Sequence, residues 1–184
     1  MEADLNDVSL PIDDEQYDAI VARLVLFALK DPIETIRRMS RQLSPGGRIV
    51  LMELDNQWLQ TGYRAWPTCP LVDKLSDLFL TAARQTGLHL DIAVNLYPTL
   101  IAAGLVDVRL RMHVRMGGDP DFIGYKFYPT HTRLFEAEYI KLGLVKPGEL
   151  EVETLAHRLR QELASRQAFM VLPPMIAGWA RRPA

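Results

Sequence analysis

The sequence predicts an α/β fold with a parallel sheet, and three features near its start carry that prediction. The short apolar run Tyr17–Ala22 is typical of a buried strand. A helical pattern follows Asp31-Pro32, and a second apolar run spans Arg48–Glu53. Strand, helix and strand in this order, with a tight Gly46-Gly47 turn before the second strand, indicate a βαβ unit and a parallel sheet.

The helix between these two strands has clear start and stop signals. Asp31 suits the N-cap, and Pro32 suits the first helical position, where its missing N–H is not needed. The apolar residues that follow recur at helical spacing on one face: Ile33, Ile36, Met39 and Leu43. The segment Ser44–Gly47 is expected to end the helix and turn the chain into the next strand.

Helices and short strands are expected to alternate over the rest of the chain. Residues 71–83 have the spacing of an amphipathic helix, which Gly87 ends, and a short helix is expected at Tyr97–Gly104. Val106–Val114 alternates apolar and polar residues, which predicts a strand with one solvent-facing side.

The last third of the sequence predicts a helical cap. Two helices are expected at Tyr125–Leu142 and Glu149–Leu163, and one or both of the segments Phe169–Leu172 and Met175–Ala180 should be strand. We therefore expect one domain over residues 1–184, with a helical cap at residues 119–165 inserted in it.

Composition narrows the function classes. The chain has 184 residues, 21 of them basic and 23 acidic, so it has no basic excess to neutralise the phosphates of nucleic acid. Its single cysteine, Cys69, allows no internal disulfide and no thiolate metal site, and the four histidines do not fall at metal-ligand spacing. The apolar run Ala19–Leu29 is too short to span a bilayer, and the acidic N-terminus does not resemble a signal peptide. We expect a soluble cytoplasmic protein that binds neither nucleic acid, metal nor membrane.

The order of several segments points to one family. These segments are Ala3–Leu5, Tyr17–Val21 with Arg23–Leu26, Leu43–Arg48, Leu51–Glu53, Leu100–Val108 and Ala177–Pro183. Together they resemble the class I S-adenosylmethionine (SAM)-dependent methyltransferases that act on small molecules. The resemblance covers nearly the whole chain and implies a Rossmann-like sheet, with the fourth to seventh strands of that family present here.

The resemblance also implies a cofactor and residues to bind it. Asp4 and Leu5 match the acidic loop after the family's third strand, and Asp4 takes the position that accepts a hydrogen bond from the adenine amino group. Arg23 and Leu24 follow the fourth strand and match the loop that lines the cofactor and substrate cleft. The alternative for these residues is a solvated N-terminus, a surface arginine and a core leucine.

One part of the family's pattern is missing from these residues. No Gly-x-Gly stands between a strand and a helix, and Gly46-Gly47 lies between a helix and a strand instead. We therefore expect a partial Rossmann-like sheet without the N-terminal, cofactor-binding third. The strand at residues 17–22 should then expose an apolar edge, which favours a homodimer or a complementing chain. On this basis the chain is not expected to methylate alone.

Aromatic and basic side chains suggest where a substrate would bind. A cluster of aromatic residues and one cation follows the segment that matches the fifth strand of the family: Trp58, Tyr63, Arg64 and Trp66. Such a cluster suits a flat organic molecule, either neutral or anionic. A packed lid is an equally good interpretation. Tyr97 is a further candidate for the substrate wall. His131 is the candidate general base, because the ordinary pKa of histidine lies near neutrality, although a structural role is the simpler alternative.

Two functions outside methyl transfer stay open at this point. A cofactor-independent cyclase could keep the substrate pocket and dispense with SAM. A non-catalytic subunit could use the bare strand edge to stabilise a complete relative.

Overall fold

The structure is a computed structural model, and it describes residues 5–6 and 16–184. The described elements run in the order β1 (Tyr17–Arg23), α1 (Pro32–Arg41), β2 (Leu43–Leu54), β3 (Ala65–Trp66), α2 (Pro70–Thr86), α3 (Leu96–Ala102), β4 (Val106–His113), β5 (Met116–Gly117), α4 (Gly124–Lys141), α5 (Val152–Ser165), β6 (Phe169–Val171) and β7 (Met175–Arg181). Short 3-10 helices lie at Leu26–Ala28 and Asn56–Gln60. The predicted α/β class is confirmed.

The chain divides into two compact units, where the sequence predicted one domain with an insertion. Unit 1 consists of Met1–Asp55, Leu88–His113 and Met175–Ala184, and unit 2 consists of Asn56–Gly87 and Val114–Pro174. Helices α4 and α5 fall in the predicted cap region, but unit 2 also contains α2 and a small sheet that were not assigned to the cap.

The described part of unit 1 is built on a four-stranded sheet in the order β1-β2-β7-β4. Strand β2 pairs parallel with β1 and antiparallel with β7, and β4 pairs antiparallel with β7. The parallel pair β1–β2 joined by α1 is the βαβ unit that the sequence predicted. Among the described residues, β1 forms one edge of this sheet and β4 the other.

The sheet of unit 1 has one well-buried face. Ile49 and Leu51 of β2 are fully buried there, together with Ile36 of α1 and Leu96 and Leu100 of α3. Because neighbouring residues on a strand alternate between faces, the row Val21–Val50–Trp179–Arg109 lies on the opposite face. Val50 and Trp179 are half-buried and Val21 is 63% exposed, so the opposite face of β1 is open among the described residues.

The predicted turn at Ser44–Gly47 is instead an irregularity inside β2. Leu43 pairs with Tyr17 and Arg48 pairs with Ala19, so the β2 segment is longer than the β1 segment opposite it. Gly46 has φ +75°, and a Cβ on Gly47 would lie 2.8 Å from the carbonyl oxygen of Ser44. Glycine at both positions therefore lets the extra residues loop out without breaking the strand.

Strand β4 differs from its prediction in exposure. The alternating sequence predicted one solvent-facing side, but seven of its eight residues are exposed and only Val108 is half-buried. The reason is its edge position, which leaves β4 with β7 as its one strand neighbour among the described residues. The final two segments are both strands, and they belong to different sheets.

Unit 2 combines three helices with a three-stranded antiparallel sheet in the order β3-β6-β5. Strands β3 and β5 have two residues each and were not predicted, because such short strands leave no periodic pattern. The helices supply fully or nearly fully buried core residues, among them Val72, Tyr125, Leu155, Leu159 and Leu163. No helix of the described ranges is long and apolar enough to cross a membrane.

Packing at Gly178 gives a test of the unit 1 core. A Cβ at this position would lie 3.0 Å from Leu110 Cδ2 and 3.1 Å from Leu100 Cδ1. We predict that Gly178→Val lowers the free energy of unfolding by about 1–3 kcal/mol, because the added methyl groups overpack this face. Urea denaturation measures the change. Ala177→Val is the matched control, since Ala177 is half-buried on the opposite face. An equal loss in both variants would contradict this packing.

Candidate functional site

The carboxyl ends of β1 and β2 lie side by side because the two strands are parallel. Arg23 is in register with Met52, and the Leu24 N–H donates to the Met52 carbonyl at 2.8 Å. Leu24 has φ +55°, so the chain turns sharply away from the sheet directly after the strand. Arg23 and Leu24 are both exposed at this turn. In open α/β sheets ligands bind outside the carboxyl ends of the strands, so this is the candidate site of unit 1.

Glu53 holds the loop that follows β1. Its residue is 1% exposed, and Oε1 accepts hydrogen bonds from the N–H groups of Val25 (2.9 Å) and Leu26 (2.8 Å). These bonds satisfy amides at the start of the 3-10 helix Leu26–Ala28. The loop therefore depends on a side chain from the neighbouring strand.

The second carboxylate oxygen of Glu53, Oε2, is buried and has no hydrogen-bond partner in the part of the chain that the structure describes. Burial raises the pKa of Glu53 above its ordinary value, and hydrogen bonds from the loop amides oppose that shift. Sequence reasoning missed the role of Glu53. The available signal was a carboxylate placed directly at the end of an apolar strand.

The predicted cofactor residues are only partly described. Asp4 lies outside the described residues. Leu5 is 44% exposed, and the adjacent Asn6 accepts a hydrogen bond from the Lys30 N–H at 2.9 Å. Arg23 and Leu24 lie together at the strand ends, as the resemblance implies, and their predicted contact with a cofactor stays a prediction.

Unit 2 contains an apolar groove with a volume of about 550 Å³. Its lining combines four aromatic side chains with four aliphatic ones: Trp58, Tyr63, Ala65, Trp66, Val114, Met116, Phe169 and Val171. The structure thus brings together Trp58 and Trp66, two of the four predicted substrate-binding residues, and Tyr63 of the same sequence cluster.

Arg64 differs from its expected position. Its side chain is 9% exposed, and Nε donates to the Leu59 carbonyl at 2.5 Å. The two terminal nitrogens contact Asp73 and Asp77, with Nη2 2.7 Å from Asp77 Oδ1. Arg64 does not line the groove because these partners hold its guanidinium within unit 2. Its contacts are those of a residue that joins the β3 region to α2, so the structure gives no support to a substrate contact.

Tyr97 lies in α3 of unit 1 and is 48% exposed, and it is not among the residues lining the groove of unit 2. The sequence clustered it with the substrate residues because of its aromatic ring alone. Its predicted substrate contact stays a prediction.

His131 packs among aromatic rings of α2 and α4. Its ring centroid is 4.5 Å from that of Phe79, 4.8 Å from Phe135 and 5.6 Å from Phe127. Burial lowers the pKa of His131 to about 4, so the imidazole is neutral near pH 7 and is a weak proton acceptor there. These surroundings favour packing over the predicted role as a general base.

The described glycines with positive φ do not lie in a loop that runs from a strand to a helix, and Gly118, which lies between β5 and α4, is not one of them. The six with positive φ lie in β2, in the loop before β3, after α2, α3 and α4, and before α5: Gly46, Gly62, Gly87, Gly104, Gly143 and Gly148. None of these links a strand to a following helix. Those ranges also contain no group of three His, Cys, Asp or Glu side chains that could hold a metal ion.

Comparison with known protein families shows which family this chain belongs to. Residues 2–110 match the sequence model of a family described as a methyltransferase domain, which is more than half of the chain. The chain belongs to this methyltransferase domain family. The match includes the β1–α1–β2 segment and the Glu53-held loop, and it confirms the resemblance to methyltransferases.

Individual relatives match at low identity or over short segments. A polyketide synthase–nonribosomal peptide synthetase of Aspergillus clavatus is 41% identical over 49 residues, which are 26% of this chain and 1% of that protein. Phosphoethanolamine N-methyltransferase 2 of Haemonchus contortus, solved with phosphomonomethylethanolamine and S-adenosylhomocysteine, is 15% identical with a TM-score of 0.46. That match covers 91% of this chain and 34% of the other.

Two further solved structures are similar at the same level. The (4+2)-cyclase SpnF is 20% identical with a TM-score of 0.45, and the match covers 99% of this chain and 54% of SpnF. The plantazolicin methyltransferase BpumL is 18% identical with a TM-score of 0.42, covering 99% and 58%. This chain therefore spans between a third and three fifths of the three solved chains described here.

The Glu53 contacts predict different results for two substitutions. Glu53→Ala should lower the free energy of unfolding by about 1–3 kcal/mol, because it leaves the Val25 and Leu26 amides without an acceptor. Glu53→Gln keeps an acceptor oxygen and removes the buried charge, so it should be at least as stable as the parent chain at pH 7. Its advantage should shrink as the pH falls and Glu53 of the parent becomes protonated. Urea denaturation at pH 7 and pH 5 measures both, and equal losses in the two variants would contradict the loop-holding role.

The surroundings of His131 predict an acid-dependent stability. Between pH 6.5 and pH 4 the unfolded chain protonates His131 while the folded chain keeps it neutral, so the free energy of unfolding should fall as the pH drops through this range. His131→Phe should remove that contribution. We expect the stability of the variant relative to the parent to rise between pH 7 and pH 4.5 in urea titrations. A difference that does not change with pH would show that His131 does not titrate in this way.

Proposed function

We propose that this chain takes part in SAM-dependent methyl transfer to a small organic molecule. Family membership supplies the reaction class. The structural observation that best supports the proposal is the loop at the carboxyl ends of β1 and β2, which Glu53 holds through the Val25 and Leu26 amides. A loop fixed in this way offers a preformed surface where ligands of open α/β sheets bind.

The residues present fit only one side of a bound SAM. Loop 23–26 offers exposed Arg23 and Leu24 side chains, but no glycine lies between β1 and α1 to provide a cradle there. When bound, SAM supplies a methyl group on a sulfonium sulfur, and transfer needs little from the protein beyond in-line placement of the acceptor. Orientation of the loop by Glu53 is the contribution that these residues make.

We propose that further polypeptide completes the cofactor site, as an additional part of the same protein, a second copy or a complementing chain. The supporting feature is strand β1, which lies at the edge of the sheet among the described residues with Val21 63% exposed. An apolar strand edge is a ready template for another strand. A chain that serves only to stabilise a complete relative would use this same edge.

A cofactor-independent cyclisation is the second candidate function. The groove of unit 2 favours it, because apolar and aromatic side chains line that groove and all eight lining residues belong to unit 2. Polyene substrates incubated with and without SAM separate the two functions. A cyclised product formed at the same rate without SAM would support cyclisation over methyl transfer.

The proposed setting is the reducing cytoplasm. Cys69 is fully buried, and burial raises the pKa of its thiol to about 11, so it stays protonated and unreactive. A lone thiol of this kind needs no oxidising compartment.

Titration calorimetry tests the incomplete cofactor site. We predict that residues 1–184 alone show no saturable binding of SAM or S-adenosylhomocysteine at concentrations up to about 1 mM, because only one side of the ligand is contacted. Adding a polypeptide that carries a strand, a glycine loop and a helix of this family should produce binding. Tight one-to-one binding by residues 1–184 alone would overturn the prediction.

The edge of β1 gives a second test. We predict that Val21→Lys abolishes association of the chain with itself or with the complementing polypeptide, because it places a charge on the open strand. Val106→Lys is the matched control, since Val106 is 42% exposed on β4, the other edge of the same sheet. Light scattering measures the assembly mass. Equal association of both variants and the parent would contradict the role of β1.

A further inference from the structure

We propose that the groove of unit 2 binds an uncharged, apolar small molecule and discriminates against anionic ones. This inference deepens the proposed function, because the molecule would be the acceptor or its apolar portion. It also narrows the class of substrate that the sequence predicted. The aromatic residues together with Arg64 had predicted a flat organic substrate, either neutral or anionic.

Strand register sorts the side chains of the small sheet onto two faces. Ala65 pairs with Met170, and both are buried in the core of unit 2 at 4% and 0% exposure. Trp66 pairs with Phe169 and Met116 pairs with Val171, which places these four side chains on the other face. One face of the sheet is therefore packed in the core of unit 2, and the other supplies Trp66, Phe169, Met116 and Val171 to the groove, which Ala65 also lines.

The groove face leaves large apolar side chains in water. Trp66 is 64% exposed, Met116 is 59% exposed and Tyr63 is 66% exposed. Clustered exposure of this kind marks a binding surface more often than scattered apolar residues do. A concave volume of about 550 Å³ lies within the usual range of roughly 300–1,000 Å³ for small-molecule sites. Volume and concavity together favour a small molecule over a flat protein surface as the occupant.

Charge decides which small molecule fits. None of the eight lining residues is charged. Two cations are adjacent in sequence to lining residues. Arg64 is held by Leu59, Asp73 and Asp77, and its side chain is only 9% exposed. Arg115 lies exposed between Val114 and Met116 and is not itself a lining residue. A carboxylate or phosphate entering the groove would lose water without gaining an ionic partner from any of the eight lining residues, which is unfavourable in apolar surroundings. A neutral molecule has no such cost.

The polar groups of the groove are few and neutral. The Trp58 indole N–H already donates to the Tyr63 carbonyl at 3.0 Å. Tyr63 and Trp66 also line the groove, and no hydrogen bond of the Tyr63 hydroxyl or the Trp66 indole N–H is seen in the described ranges. They could orient a hydroxyl, ether or carbonyl oxygen on an otherwise apolar ligand. Aromatic walls of this kind suit unsaturated and ring-containing molecules.

The test uses two polyenes of matched shape and different charge, all-trans-retinol and retinoate. The assay protein carries Trp179→Phe, because Trp179 lies in unit 1 and its removal leaves Trp58 and Trp66 as the tryptophans that report on the groove. Both polyenes absorb where tryptophan emits, so saturable quenching reports binding. SAM is omitted from every sample. We expect retinol to bind at least tenfold more tightly than retinoate.

Two substitutions locate the site. Met116→Lys should weaken retinol binding at least tenfold and shift the preference towards retinoate, because it places an ammonium group in the groove. Leu134→Lys is the control, since Leu134 is 75% exposed on α4 of the same unit and does not line the groove. It should leave both affinities unchanged. Both replaced side chains are more than half exposed, so circular dichroism should show parent-like folding.

Three results would overturn the inference: equal binding of retinol and retinoate by the assay protein, no saturable binding of either, or retinol binding that Met116→Lys leaves unchanged. Failure of SAM binding with the completed cofactor site would instead contradict the proposed function and leave these measurements standing. The two conclusions can therefore fail separately.

Discussion

Strand β2 is the constraint on which unit 1 depends. Among the strands that the structure describes, it is the one with a parallel neighbour on one side and an antiparallel neighbour on the other. Its residues Ile49 and Leu51 are fully buried against the helices. Near its carboxyl end, Glu53 accepts hydrogen bonds from the loop after β1. Hydrophobic burial and the arrangement of the candidate site thus come from the same twelve-residue strand.

Glu53 combines two opposed physical effects. Two backbone amides stabilise one carboxylate oxygen, while burial without a partner in the described ranges destabilises the charged form through the other. A fully satisfied carboxylate would be a simpler structural anchor. Glu53 Oε2 can therefore still accept a hydrogen bond from a group that reaches the strand ends.

Sequence patterns predicted the elements that have a clear period and clear ends. The helix after Asp31-Pro32 and the parallel strands on either side of it were found because apolar residues recur along the helix and run through both strands. Strands β3 and β5 could not be found because two residues have no period. The Ser44–Gly47 segment resembles a turn in sequence, and only strand pairing shows that it lies within β2.

The candidate site was predictable in part for a related reason. Aromatic residues close in sequence, Trp58, Tyr63 and Trp66, do line one groove. Residues contributed from the distant strands β5 and β6 carry no local signal that assigns them to it. The direction of the Arg64 side chain was equally hidden, because it depends on carboxylates that the following helix α2 presents.

The place of β7 in the sheet has a consequence for how the chain acquires its structure. Residues 175–181 lie between β2 and β4, which otherwise have no strand contact with each other in the described ranges. Pairing across more than a hundred residues of sequence makes contact order high and closure slow. During synthesis on the ribosome, β2 therefore lacks its antiparallel neighbour until residues 175–181 have been made and released. A chaperone would be of most use in this interval, because the edge of β2 is then exposed.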